Sequence, residues 1–146
     1  MLTALHTKNM TGLLLSGDLE DFEQLYDALH HIVGTEEDSL DLYDVRIRVL
    51  GLCYDLRHAR MGHRNAAFKE HGLDEEQMKF LSLVGTKQNL YISFETYWPE
   101  ALYIVFVLNT FIDEYKRRKK AHLWDENIAV VRMFQSIVLN LVEQTI

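Results

Sequence analysis

Between Asp18 and Asp44 the chain has no lysine and no arginine, although ten carboxylates fall within those 27 residues. Cysteine is nearly as scarce: Cys53 stands alone, which excludes an intrachain disulfide and suits a reducing compartment. The longest uninterrupted apolar run, Ala101 to Leu108, has eight residues, whereas a membrane-spanning helix needs about 20. The first residues, Met1-Leu2-Thr3-Ala4-Leu5-His6, have neither a basic start nor a long apolar stretch, so no targeting segment is expected. A cytoplasmic protein without a membrane partner is the expectation. No phosphate-cradling glycine loop, nucleophile elbow or CxxC pair is found, and no histidines stand four apart as zinc-binding helices place them. No cofactor and no metal are implied.

What is present describes an ordinary folded chain. Its 146 residues match one domain, 1–146, large enough to need no metal or disulfide staple. A net charge of −7 weighs against unspecific nucleic-acid binding. The charge changes sign abruptly after Asp44. From Arg46 to His71, Arg46, Arg48, Arg57, Arg60, Arg64 and Lys69 face only Asp55 and Glu70. Either the two segments meet in the fold, or one meets a charged partner.

Patterning gives the elements. Leu2–His6 and Leu13–Ser16 flank a polar, glycine-containing stretch and read as a β-hairpin. Ser16 or Asp18 then caps a helix whose stripe is Leu19, Phe22, Leu25, Tyr26, Leu29, Ile32 and Val33, ending near Gly34. Its acids take the solvent face and suit the dipole of the first turns. Val45, Ile47 and Val49 alternate with Arg46 and Arg48 as a strand would, but the run to Met61 without a breaker pair is long for one. Leu42 to Met61 therefore reads as a long helix with two apolar arcs: Leu42, Val45, Val49, Leu52, Cys53 and Leu56 in one, Tyr43, Ile47, Leu50, Tyr54 and Met61 in the other. Arg46 and Arg57 fall between the arcs and are expected to be partly buried with acidic mates. Gly51, costing about 1 kcal/mol against alanine in mid-helix, suggests close approach of another helix. A polar connector is expected after Gly62, then a short helix from Asp74 toward Gly85, and a strand over Leu90–Glu95. Pro99 opens a helix that should be central, and Asp125 caps a last one with apolar residues over more than half its circumference. The fold class is therefore α+β: a small, mainly antiparallel sheet, from the N-terminal hairpin plus one later strand, packed against four to five helices.

Polar residues cluster at Tyr54–Arg64. Asp55 and His58 are helical neighbours, and an aspartate beside a histidine can orient the imidazole and favour its charged form. With His63 or His71 they compose a weak acid–base or metal candidate; a surface ion pair is the plainer account. Arg46 and Arg57, with Arg60 and Arg64 beyond, compose a second candidate, a pocket for a small anion. Its structural alternative is internal pairing with Glu95, Glu100 or the acids of 18–44. The basic run Lys116–Lys120 could grip phosphates, yet a helix C-terminus explains it more simply, as it does His30 and His31. Cys53 lies in an apolar arc, 140° around the helix from His58, and reads as an inert core thiol.

Three stretches carry a resemblance: Leu13-Leu14-Leu15-Ser16-Gly17-Asp18, Leu50-Gly51-Leu52-Cys53-Tyr54-Asp55-Leu56-Arg57-His58-Ala59, and Phe94-Glu95-Thr96-Tyr97-Trp98-Pro99-Glu100-Ala101. Over most of its length the chain resembles a group of small bacterial proteins of unknown function, which implies a bacterial cytosolic origin and carries no catalytic role over to these residues.

The leading functional expectation is a non-enzymatic binding or regulatory module, a homodimer through the last two helices. The alternative is a small enzyme or an anion- or metal-binding protein using Asp55, Arg57, His58, His63 and Glu100, with Arg46 as a further ligand-binding candidate. A nucleic-acid role through Lys116–Lys120 ranks third.

Overall fold

A computed structural model of the chain describes residues 1–38, 40–62, 64–70, 76–77 and 88–146. The hairpin forms as the alternation requires: β1 (Thr3–His6) pairs antiparallel with β2 (Gly12–Asp18), with Leu5 opposite Leu14. The chain passes directly from β2 into α1 (Leu19–Val33), and the choice of cap falls on Asp18. Its carboxylate accepts from the Asp21 N–H at 2.8 Å, while Asp21 accepts from the Asp18 N–H at 3.0 Å. This reciprocal pair satisfies two backbone donors that would otherwise lack partners.

Two short 3-10 turns lead into α2 (Tyr43–Arg60), the long helix expected over 42–61. Met61 and Gly62, the latter at φ +80°, end it. Where a polar connector was expected, the chain forms β3 (Asn65–Glu70). Asn-Ala-Ala-Phe-Lys-Glu has no clear period of two; pairing with the long β4 (Gln88–Tyr97) makes it a strand, a tertiary effect that local propensity does not carry. The short helix expected between Asp74 and Gly85 falls mainly outside the described residues.

β4 pairs with β2 on its other side, giving one antiparallel sheet in the order β1-β2-β4-β3. The sheet alternates as a half-buried surface should. Leu13, Leu15, Ile92 and Phe94 point into the helix layer, while Leu5, Glu95 and Tyr97 are exposed on the opposite side. Phe22 and Phe94 meet edge-on at 5.8 Å, joining α1 to the sheet.

Two further helices, α3 (Trp98–Lys119) and α4 (Glu126–Glu143), complete the layer. Asp125 caps α4 by accepting from the Ile128 N–H at 3.2 Å. α1 packs against α2, α3 and α4. α3 is central along one side only, because Phe106 within its apolar run remains 60% exposed. α4 finds its neighbours within the chain, in α1, α3 and β1. Among the described residues no helix is long and apolar enough to cross a membrane.

α2 departs most from expectation. Its first arc is core: Val49, Leu52, Cys53 and Leu56 are buried. The second arc is not. Tyr43, Ile47, Tyr54 and Met61 are 45%, 47%, 59% and 57% exposed. α1 and the sheet can cover only one side of a helix, so the opposite arc faces outward.

Candidate functional site

The outward turn of the second arc changes the surroundings of every candidate on α2. Arg57, expected to be partly buried, is exposed. It lines a cleft of about 380 Å³ between α1 and the C-terminal half of α2, with Leu19, Glu23, Tyr26, Arg60 and Met61. Arg60 is anchored there: Nη2 donates to Glu23 Oε1 at 3.1 Å, and its guanidinium lies 5.7 Å from the Tyr26 ring centroid. Arg57 enters no ion pair with a described residue.

Arg46 belongs to a different place. Half-buried, it donates from Nε to the Gly34 carbonyl at 3.0 Å, at the C-terminal end of α1. Arg118 arrives from α3 and donates to the His31 carbonyl at 3.1 Å, with its Nε 3.8 Å from Asp38 Oδ1. Both arginines thus serve helix-end carbonyls that α1 itself cannot satisfy. Gly34, at φ +65°, permits this: a β-carbon there would stand 2.9 Å from Arg118 Nη2. His30, Asp38, Arg46, Arg118 and Lys119 line a cleft of about 520 Å³. The Thr35 N–H, donating at 2.7 Å, is the main cause that holds the Asp38 carboxyl below the usual range. Burial, then the Arg46 charge, lowers the pKa of His30. A histidine at a helix end was expected to act as a cation; Arg46 already fills that role and disfavours a second charge.

The remaining candidates separate. Asp55 accepts from Arg64 Nη2 at 3.1 Å. The His58 ring lies 4.0 Å from that of Tyr54. Glu100 pairs with Arg48 at 2.6 Å, and the Arg48 guanidinium covers the Tyr103 ring at 4.1 Å. Glu100 is therefore an internal mate, as foreseen, but of Arg48 instead of Arg46 or Arg57. His63 and His71 lie outside the described residues. Among the described residues no three His, Cys, Asp or Glu side chains converge as metal ligands. Burial pushes the Cys53 thiol up to about 12, far from the thiolate a nucleophile needs.

Two residues of the basic run have partners within the chain: Arg117 pairs with Glu114 on the surface, and Arg118 crosses to α1. The acidic segment 18–44 and the basic segment 46–71 do meet, at Arg60–Glu23, while Asp38 meets Arg118 of α3. Gln135, which no sequence pattern marked, is the buried polar side chain among the described residues. It donates to the Val105 carbonyl at 2.7 Å and accepts from Arg132 at 2.9 Å.

No curated protein matches the chain, and no solved structure matches it. A family model, described as a domain of unknown function (DUF6904), matches residues 2–146. The resemblance to uncharacterised proteins thus acquires a definite form, and the chain belongs to the DUF6904 family.

Proposed function

We propose that this protein acts by association: a non-enzymatic binding or regulatory module that forms a homodimer. The observation that carries this reading is the outward apolar row on α2, Tyr43, Ile47, Tyr54 and Met61. Contiguous exposed apolar surface on a folded domain marks an interaction site more often than scattered residues do. The dispersal of Asp55, His58 and Glu100 into separate contacts argues in the same direction. The last two helices offer less surface for this pairing, since α4 packs against α1, α3 and β1. A reducing cytoplasm suits a module whose one thiol is buried. Size-exclusion chromatography with light scattering tests the proposal: a dimer mass at micromolar concentration supports it, and a clean monomer removes it.

A second reading is a small-anion site in the cleft that Arg57 and Arg60 share. Two guanidinium groups on one wall suit a carboxylate or phosphate. Inorganic phosphate should then raise the melting temperature, and Arg57→Gln should abolish that rise. No shift in the unmodified protein would end this reading.

A further inference from the structure

We infer that the cleft at the C-terminal end of α1 binds a small molecule through a diphosphate group, gripped by the guanidinium forks of Arg46 and Arg118 with Lys119 beside them. This cleft is separate from that of Arg57 and Arg60, and the inference rests on neither reading above.

Three elements bring their cations to one place. Arg46 comes from the first turn of α2, Arg118 and Lys119 from the last turn of α3, and His30 and His31 from the last turn of α1. Asp38 is the one carboxylate among the residues that line the cleft. Three permanent cations thus face a single acid, in a chain whose net charge is −7. The cleft, about 520 Å³, has the size of a small-molecule site.

Both arginines have donors to spare. Arg46 commits Nε to the Gly34 carbonyl and Arg118 commits Nη2 to the His31 carbonyl, whereas a guanidinium carries five N–H groups. Those two bonds also cover carbonyls at the negative end of the α1 dipole, which would otherwise repel an anion. Gly34 stands between the forks. A β-carbon on it would lie 2.9 Å from Arg118 Nη2 and 3.0 Å from Arg118 Cζ, so the missing side chain keeps that wall open.

The placing of the forks selects the ligand. Arg46 reaches Gly34 at its carbonyl and Arg118 at its α-carbon, so the two approach different sides of one residue. A single tetrahedral anion cannot take both forks in bidentate fashion. Two linked phosphoryl groups can, one to each arginine.

His30 supplies a local reporter. Burial, then the Arg46 charge, holds its pKa below 6.5. The charged groups around it are Asp27 and His31 on α1, Arg46 on α2, and Asp38, Arg118 and Lys119 across the cleft. A polyanion bound there offsets Arg46 and favours the imidazolium.

Calorimetry and histidine NMR on the full chain, with magnesium-free pyrophosphate at fixed ionic strength, give the test. Pyrophosphate should bind saturably and raise the pKa of His30; orthophosphate should bind about tenfold more weakly. Arg46→Gln should weaken pyrophosphate about tenfold or more. Lys119→Gln, at an exposed position, should weaken it about three- to fivefold with an unchanged far-UV circular dichroism spectrum. Arg117→Gln, in the same basic run but outside the cleft lining, should leave binding unchanged. Absence of saturable binding to the unmodified protein would overturn the inference. So would binding that Arg57→Gln abolishes and Lys119→Gln leaves intact, which would place the diphosphate in the other cleft.

Discussion

Glu100 accepts from Arg48 Nη2 at 2.6 Å, tying the first turn of α3 to the middle of α2 across 52 residues of chain. The Arg48 guanidinium also lies on the Tyr103 ring, one turn after Glu100. Both charged side chains remain more than a third exposed, so water and salt weaken the pair. Glu100→Gln should cost less than about 1 kcal/mol. Chemical denaturation in low and in molar salt checks this, since a true ion pair loses its contribution at high salt.

The capping pair of Asp18 and Asp21 closes the start of α1, the helix that touches the other three. Asp18→Ala should destabilise the fold by about 1 kcal/mol, within a range of about 0.5 to 2. Asp18→Asn, which keeps the accepting oxygen, should recover most of that. Urea unfolding of the two variants side by side reads the difference.

Gln135 holds α4 to α3 through the Val105 carbonyl. Gln135→Leu fills the same space but removes this additional bond to a carbonyl that keeps its helical N–H donor, at a cost of about 0.5–1.5 kcal/mol. An equally stable Leu variant would show that the hydrogen bond contributes nothing net.

His30 should make the protein sensitive to mild acid. Its folded-state pKa lies below the ordinary 6.5 because burial and Arg46 oppose its charge. As pH falls through about 6.5, the unfolded chain takes up this proton before the folded one does, so stability declines on the acid side. Above that pH the group has no effect. His30→Gln should flatten the stability profile just below pH 6.5, separately from the carboxylate Asp38, whose depressed pKa acts below its ordinary 3.8. Melting temperatures across that range, for the natural chain and the variant, decide it.

Cys53 should resist thiol reagents in the folded protein, since it is buried and its thiol is held near 12. Ellman's reagent should react slowly under native conditions and fully in guanidinium. Rapid native labelling would contradict the packing of α2 against the core.

Much of the architecture was legible in local pattern. The stripe of α1, the alternation of β2 and β4, and the caps Asp18 and Asp125 repeat at periods that one element imposes on its own residues. β3 was not legible, because Asn65–Glu70 has no such period and becomes a strand by pairing with β4. The candidate site was legible only as a set of residue types. Asp55, Arg57 and His58 are adjacent in sequence, yet Arg57 turns to the cleft beside α1 while Asp55 turns to Arg64. Helical rotation predicts that divergence but not the partner each side chain meets.

In the amino-acid order alone, the long run without a breaker favoured a helix over a strand for α2, and its two apolar arcs then follow from 100° per residue without reference to neighbours. Only the packing of α1 and the sheet decided which arc is covered, since a helix cannot show in its own sequence from which side the rest of the chain approaches. That choice leaves Tyr43, Ile47, Tyr54 and Met61 facing water and releases Arg57 from the interior.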